Sequence, residues 1–125
     1  MTTIVLSIPW SALASSNLRN RRRGGKAHSQ AYRTSREAIH LCALDQVRGE
    51  RPAFPEGELR VALRFFPPDY RHRDEANLAK GLLDGMNAVV WKDDSQIRDL
   101  SVLRVDVDEA NPRCEVEVRP WRAAT

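Results

Sequence analysis

The chain has 125 residues, of which 42% are hydrophobic and 30% charged, and this suits one globular domain with a modest core. Its net charge is +3, yet seven basic residues and no acid precede Glu37. The most apolar stretch, residues 3–14, is too short to cross a bilayer and is followed, not preceded, by the arginines. This excludes a membrane span and a secretory signal, so we expect one cytoplasmic domain over residues 1–125 with no membrane partner.

The first predicted element is a strand from Thr3 to Ile8, because apolar residues alternate along it. Residues 9–30 follow as a long loop, and Gly24 and Gly25 within it favour a mobile basic loop over a helix. Positive side chains there suit the phosphates of nucleic acid, while a solvated loop without a ligand fits equally well. The candidate contacts are Arg19, Arg21, Arg22, Arg23 and Lys26.

A helix and a strand are predicted next. Thr34–Glu37 has the form of a capping box, which predicts a helix from there to about Val47. Residues 58–66 alternate between apolar and basic or small side chains, which predicts a strand that ends before Pro67 and Pro68.

The second helix is predicted from about Glu75 to Val89, with one apolar face and one polar face. Two strands complete the chain, over residues 97–107 and 114–118. The order β-α-β-α-β-β predicts an α/β or α+β fold in which two helices pack on one sheet.

The two cysteines, Cys42 and Cys114, lie far apart and match no metal-binding spacing. Two free thiols in a reducing compartment are favoured over a disulfide.

Acids are concentrated around the second helix. Asp74 lies where the helix begins, and Asp93 and Asp94 lie between the helix and the next strand. Alone, the first is typical of a helix N-cap and the pair is typical of a turn. Together, with Asn77 and Lys80 nearby, they indicate a site for Mg²⁺ or Mn²⁺, which prefer hard oxygen ligands. Such a metal polarises a phosphodiester and activates water, and Lys80 is available to stabilise the developing charge.

The stretch from residue 67 to residue 97, PPDYRHRDEANLAKGLLDGMNAVVWKDDSQI, resembles the RusA-type Holliday-junction resolvases. The shared pattern is a Pro-Pro-Asp strand end, then Arg-x-Arg-Asp-x-Asp-Asn-Leu-x-Lys, an Asp in the helix, and Trp-x-Asp-Asp-x-Gln-Ile. The resemblance implies a homodimer with a small mixed sheet. It also implies binding to branched DNA at four-way junctions, and Mg²⁺-dependent, paired symmetric nicks in recombination and repair. The implied setting is the cytoplasm of a bacterial or phage-infected cell.

The resemblance also assigns roles to residues. Asp74 corresponds to the first metal-binding acid and Asp94 to the last, with Asp93 beside it. Lys80 corresponds to the catalytic lysine. The remaining candidates for DNA contact in this stretch are Arg73 and Asn77.

Ala76 departs from the family pattern, which has an acid at this position. Either the residue was introduced to disable cleavage, or the natural protein works with fewer acids or only binds DNA. The leading hypothesis is therefore a junction resolvase, weakened or inactivated by Ala76. The alternatives are a non-catalytic protein that binds branched DNA on the same scaffold, and an interaction domain that binds no DNA.

Overall fold

The computed structural model describes residues 3–13 and 30–122. Its strands and helices confirm the predicted order: β1 (Ile4–Pro9), α1 (Gln30–Gln46), β2 (Leu59–Phe66), α2 (Glu75–Met86), β3 (Ile97–Arg104) and β4 (Arg113–Pro120). Short 3-10 helices lie at Trp10–Leu13 and Asp94–Gln96. Within these described ranges, no helix has the length and apolar character that a bilayer crossing requires.

The boundaries of both helices differ from the sequence prediction. α1 already begins at Gln30, so Thr34–Glu37 lies inside the helix and its assignment as a capping box was wrong. The hydroxyl of Ser35 donates a hydrogen bond to the carbonyl oxygen of Ala12 (2.6 Å) and is therefore engaged in a tertiary contact. α2 ends at Met86, because Ala88 adopts a positive φ of 74° that a helix cannot accommodate.

The four strands form one mixed sheet in the order β1-β4-β2-β3. β4 pairs antiparallel with both β1 and β2, while β2 and β3 are parallel and are connected through α2. The expected small mixed sheet with two packed helices is therefore confirmed. Since β2 and β3 run in the same direction, α2 must return along the length of the sheet.

The hydrophobic core lies between one face of the sheet and the two helices. β2 supplies alternate residues to it, and Leu59, Val61, Leu63 and Phe65 are buried. Trp91 is fully buried as well, and its indole N–H donates to the side chain of Asn87 (2.8 Å).

The two helices approach closely at Gly85. A Cβ atom there would lie only 2.7 Å from the side chain of Ile39, so this glycine permits the contact between α1 and α2.

The opposite face of the sheet is covered by no described helix and carries charged side chains. β2 contributes arginines to it, as its alternating pattern predicts, but the neighbouring strands supply acids. Ion pairs join Arg60 to Asp99 (3.3 Å), Arg64 to Glu117 (3.0 Å) and Arg113 to Glu115 (3.0 Å). The basic face of β2 is therefore largely neutralised within the sheet.

Candidate functional site

Asp74 is the N-cap of α2 and is exposed to solvent. Its Oδ1 atom accepts a hydrogen bond from the backbone N–H of Asn77 (3.3 Å), which satisfies one free donor of the first turn. Within residues 3–13 and 30–122, its Oδ2 atom makes no hydrogen bond or ion pair. The N-cap interpretation is confirmed, and it leaves one carboxylate oxygen free to bind a cation.

An exposed polar row continues from Asp74 along the first two turns of α2. Asn77 and Lys80 are three residues apart and therefore lie on the same side of the helix, and both are exposed. Ala76, where the family pattern has an acid, is exposed too. It precedes Lys80 by four residues and therefore lies one helical turn from it on the same side of α2. Lys80 forms no ion pair in the part of the chain that the structure describes.

Asp93 and Asp94 differ in their local roles. Asp93 caps the 3-10 helix Asp94–Gln96, and its Oδ2 atom accepts a hydrogen bond from the backbone N–H of Ser95 (3.1 Å). Hydrogen bonds from the side chain and backbone of Ser95 lower the pKa of Asp93 below its usual value. In the described ranges, the carboxylate of Asp94 has neither a hydrogen bond nor an ion pair. Asp94 is therefore the freer of the two acids.

Asp74 and Asp94 lie at opposite ends of α2 in the same chain. Glu75 at the start of α2 contacts Arg104 at the end of β3, whereas Asp94 precedes the start of β3. A helix of 12 residues spans about 18 Å. In one chain the two acids therefore lie beyond opposite ends of α2, and their convergence on one metal stays a prediction. Among the described residues, no group of three or more His, Cys, Asp or Glu side chains is arranged to hold a metal ion.

The chain matches the family model Endodeoxyribonuclease RusA over residues 9–119. It belongs to the RusA family of endodeoxyribonucleases. No curated protein matches the chain. Membership of this family supports a nuclease that acts on Holliday junctions in DNA recombination, and hence a protein that binds branched DNA.

In this RusA-family chain, most acids near Asp74 are held by arginines. The pairs are Glu75 with Arg104 (2.7 Å), Asp69 with Arg73 (2.8 Å) and Asp108 with Arg113 (2.7 Å). Glu75 therefore does not replace the acid missing at Ala76, because its side chain is 19% exposed and is engaged by a guanidinium.

Asp106 is an acid at this end of the sheet that sequence reasoning missed. It follows β3 and is exposed, and its carboxylate accepts a hydrogen bond from the backbone N–H of Val107 (2.7 Å). No described cation pairs with it. In the sequence, the only indication was that Asp106 lies at the end of a predicted strand. That this strand borders the start of α2 could be known only from the strand order.

Arg73, predicted to contact DNA, has partners inside the protein. Its guanidinium pairs with Asp69 and lies over the ring of Trp10, 5.3 Å from the ring centre. Its side chain is 12% exposed, whereas that of Arg71 is 76% exposed. Arg71 is therefore better placed than Arg73 to meet a phosphate.

The basic residues of the predicted mobile loop lie outside the described residues. These are Arg19, Arg21, Arg22, Arg23 and Lys26. Their role in DNA binding stays a prediction.

Asp84, the helix acid of the family pattern, is engaged with α1. It accepts a hydrogen bond from the hydroxyl of Tyr32. Burial and the neighbouring Asp84 carboxylate both raise the pKa of Tyr32, so this hydroxyl keeps its proton and remains a donor. Asp84 therefore links the two helices.

Gln96 fixes the loop that carries Asp94. Its Oε1 atom accepts hydrogen bonds from the backbone N–H groups of Lys92 (2.9 Å) and Asp93 (3.1 Å). Its Nε2 atom donates to the carbonyl oxygens of Phe54 (3.1 Å) and Gly57 (3.0 Å). Gln96 thus ties the acidic loop to the turn before β2.

We expect Gln96→Glu to reduce the free energy of unfolding by about 1–3 kcal/mol, because a carboxylate would face two carbonyl oxygens without a proton to donate. Urea unfolding at neutral pH measures this effect. The matched control is Gln30→Glu, whose side-chain oxygen accepts a hydrogen bond from Arg33 and keeps that role as a carboxylate. The control should stay within about 0.5 kcal/mol of the parent protein. Equal stability of both variants would show that the four bonds of Gln96 do not hold the loop.

Proposed function

We propose that this RusA-family protein is a Mg²⁺-dependent endodeoxyribonuclease that resolves Holliday junctions by paired symmetric nicks during DNA recombination and repair. One observation carries the proposal. Asp74 and Asp94, which occupy the motif positions of metal-binding acids, have no cationic partner in the described structure, whereas most of the acids around Asp74 are bound by arginines. Asp74 is exposed and Asp94 half-buried, and acids without a cationic partner suit a site that binds a cation.

The donor set fits Mg²⁺, with Mn²⁺ as a possible substitute, because the available ligands are carboxylate oxygens. Asp74 offers Oδ2, Asp94 offers both oxygens, and Asp93 offers the oxygen that does not accept the Ser95 hydrogen bond. A bound Mg²⁺ ion would supply Lewis acidity towards a phosphodiester and activate water.

Lys80 has a separate role in the proposed reaction. Its backbone lies about 9 Å along the helix from that of Asp74, and its long side chain can reach towards the same phosphate. It would stabilise the negative charge that develops on the phosphate during cleavage. Asn77, between them, can donate a hydrogen bond to a phosphate oxygen and position the strand.

The geometry also supports a homodimer. Asp74 lies at the start of α2, a helix about 18 Å long, and Asp94 lies beyond its other end, so a metal site that uses both acids would take them from two chains. Twofold symmetry then gives two identical sites, each with Asp74 from one chain and Asp94 from the other. Two such sites suit the two symmetric nicks that resolve a four-way junction.

The direct test is cleavage of a four-way junction labelled on each strand in turn. With Mg²⁺ we expect symmetric nicks in two strands of like polarity, no nicks in EDTA, and little cleavage of a linear duplex with the same sequence. Nicks that persist in EDTA would contradict metal dependence. Cleavage of the duplex at the same rate would contradict junction specificity.

A second candidate function is non-catalytic binding of branched DNA, and the alanine at position 76 is the observation that favours it. In this case the same experiment would show tight junction binding by gel shift with no nicks at any Mg²⁺ concentration.

A further inference from the structure

Tyr70 lies in the segment between β2 and α2, and its side chain projects into solvent. It is 80% exposed, and no other large hydrophobic side chain in the described ranges is exposed to that degree. Its hydroxyl makes no hydrogen bond with any described residue. A ring this exposed adds nothing to the core and leaves apolar surface in water, so it suits a contact with another molecule.

The backbone that carries Tyr70 is held on both sides. Asp69 accepts a hydrogen bond from the backbone N–H of Arg71 (3.0 Å), and Arg73 donates to the carbonyl oxygens of Asp69 (3.2 Å) and Arg71 (3.1 Å). The Arg73 guanidinium also pairs with Asp69 (2.8 Å) and lies over the ring of Trp10. The ring of Tyr70 is therefore presented from a fixed turn, and a group held in position before its ligand arrives loses less entropy on binding.

Tyr70 is close to the proposed site of cleavage. Asp74 follows four residues later, so the two Cα atoms are at most about 14 Å apart. The hydrogen bond from Arg73 to the Asp69 carbonyl folds the segment back on itself and shortens this distance. Bases stacked in one strand are about 3.4 Å apart. A base in contact with the ring is therefore within a few nucleotides of a phosphate at Asp74.

The neighbours of Tyr70 suit nucleic acid. The side chain of Arg71 is 76% exposed and His72 is exposed as well, whereas the nearby acid Asp69 is already paired with Arg73. An exposed cation beside an exposed aromatic ring can hold a phosphate while the ring stacks on the adjoining base. The same surface fits an apolar protein partner less well, because Arg71 would lose its hydration there.

We propose that Tyr70 stacks on the base pair that borders the branch point of a four-way junction, and that this contact favours a junction over a linear duplex. The inference deepens the proposed function and rests on it. In a continuous duplex both faces of each base pair are covered by neighbouring pairs. An opened junction exposes the face of the last pair of each arm, and an aromatic ring can cover that face. Arg71 would contact phosphate, which duplex and junction share, so it adds affinity without this preference.

2-Aminopurine placed at the branch point tests the contact directly, because its fluorescence is quenched when an aromatic ring stacks on it. The parent, Tyr70→Ala and Tyr70→Phe are each bound in EDTA to junctions with the probe in the last pair of each arm in turn. In at least one arm, we expect the Tyr70→Ala complex to be about twofold brighter than the parent complex or more. Tyr70→Phe should match the parent, because it keeps the ring. A probe several pairs inside an arm should respond equally to all three proteins.

Competition binding in EDTA tests the selectivity. Tyr70→Ala should bind the junction about tenfold more weakly than the parent does, with unchanged affinity for a duplex of the same sequence. Arg71→Ala should weaken both complexes and lower the salt dependence of both by about one phosphate contact. Leu41→Ala, at a position 57% exposed on α1, is the control and should change neither affinity. Because Tyr70 is so exposed, its replacement should leave the melting temperature unchanged.

These measurements need no metal and no cleavage, so the parent can cut junctions while the inference fails. The inference is overturned if Tyr70→Ala keeps the parent's preference for the junction, or if the three complexes are equally bright with the probe in every arm. A Tyr70→Ala protein that changes its sedimentation but not its DNA affinity would overturn it in favour of a protein contact. A parent without any preference for the junction would contradict the proposed function as well.

Discussion

Asp94→Asn is expected to reduce cleavage of a four-way junction by at least about 100-fold while junction binding is retained or becomes tighter. The substitution keeps the shape of the side chain but removes a charged metal ligand. It also removes a negative charge that repels phosphates, which explains the retained binding. Single-turnover cleavage at saturating protein and a gel shift without metal measure the two effects separately.

Asp45→Asn is the matched control, since Asp45 is an exposed acid on α1 with no partner at the proposed site. It should cleave at the parental rate. Asp93→Asn separates the two neighbouring acids, because asparagine also caps a helix and should preserve the loop. An Asp94→Asn protein that cuts as fast as its parent would remove Asp94 from the metal site.

Ala76→Asp is expected to raise Mg²⁺ affinity and to speed cleavage by about tenfold or more at low Mg²⁺ concentration, because it adds a charged oxygen ligand beside Asp74. Without metal, stability should change by less than about 1 kcal/mol. Repulsion from Asp74 is offset by the favourable position of an acid in the first turn of α2 and by Lys80 one turn further on. Junction cleavage and the melting temperature, each measured over a Mg²⁺ titration, check both statements.

Ala76→Asn is the control for Ala76→Asp, because it has nearly the same size but no charge. The melting temperature of Ala76→Asp should rise more steeply with Mg²⁺ than that of either the parent or the asparagine variant. If all three proteins respond equally to Mg²⁺ and cut equally fast, position 76 lies outside the catalytic centre.

Local patterns predicted the elements of this protein well. The alternation in β2 and the 3.6-residue period in α2 identified the strand, the helix and its buried face, because each pattern reflects which side of one element meets the core. The same reasoning failed for Thr34–Glu37, where a capping motif lies inside α1. Tertiary contacts of the first turn of α1 outweigh the local preference for a helix start at Thr34.

The arrangement of the site required knowledge that a sequence pattern does not carry. Whether Asp74 and Asp94 converge depends on the parallel direction of β2 and β3, which places them at opposite ends of α2. Likewise, the partners that occupy Arg73 and Glu75 come from other segments of the chain. These long-range pairings are set by topology, not by spacing.

The measurement that tests the account most directly is junction cleavage by a mixture of two inactive variants, Asp74→Asn and Asp94→Asn, allowed to exchange subunits. If each site takes Asp74 from one chain and Asp94 from the other, a mixed dimer has one site with both substitutions and one site with neither. The mixture should therefore regain Mg²⁺-dependent activity and nick only one strand of the junction per binding event. A mixture as inactive as its two components would contradict a site shared between chains, and activity of either variant alone would contradict the assignment of that acid.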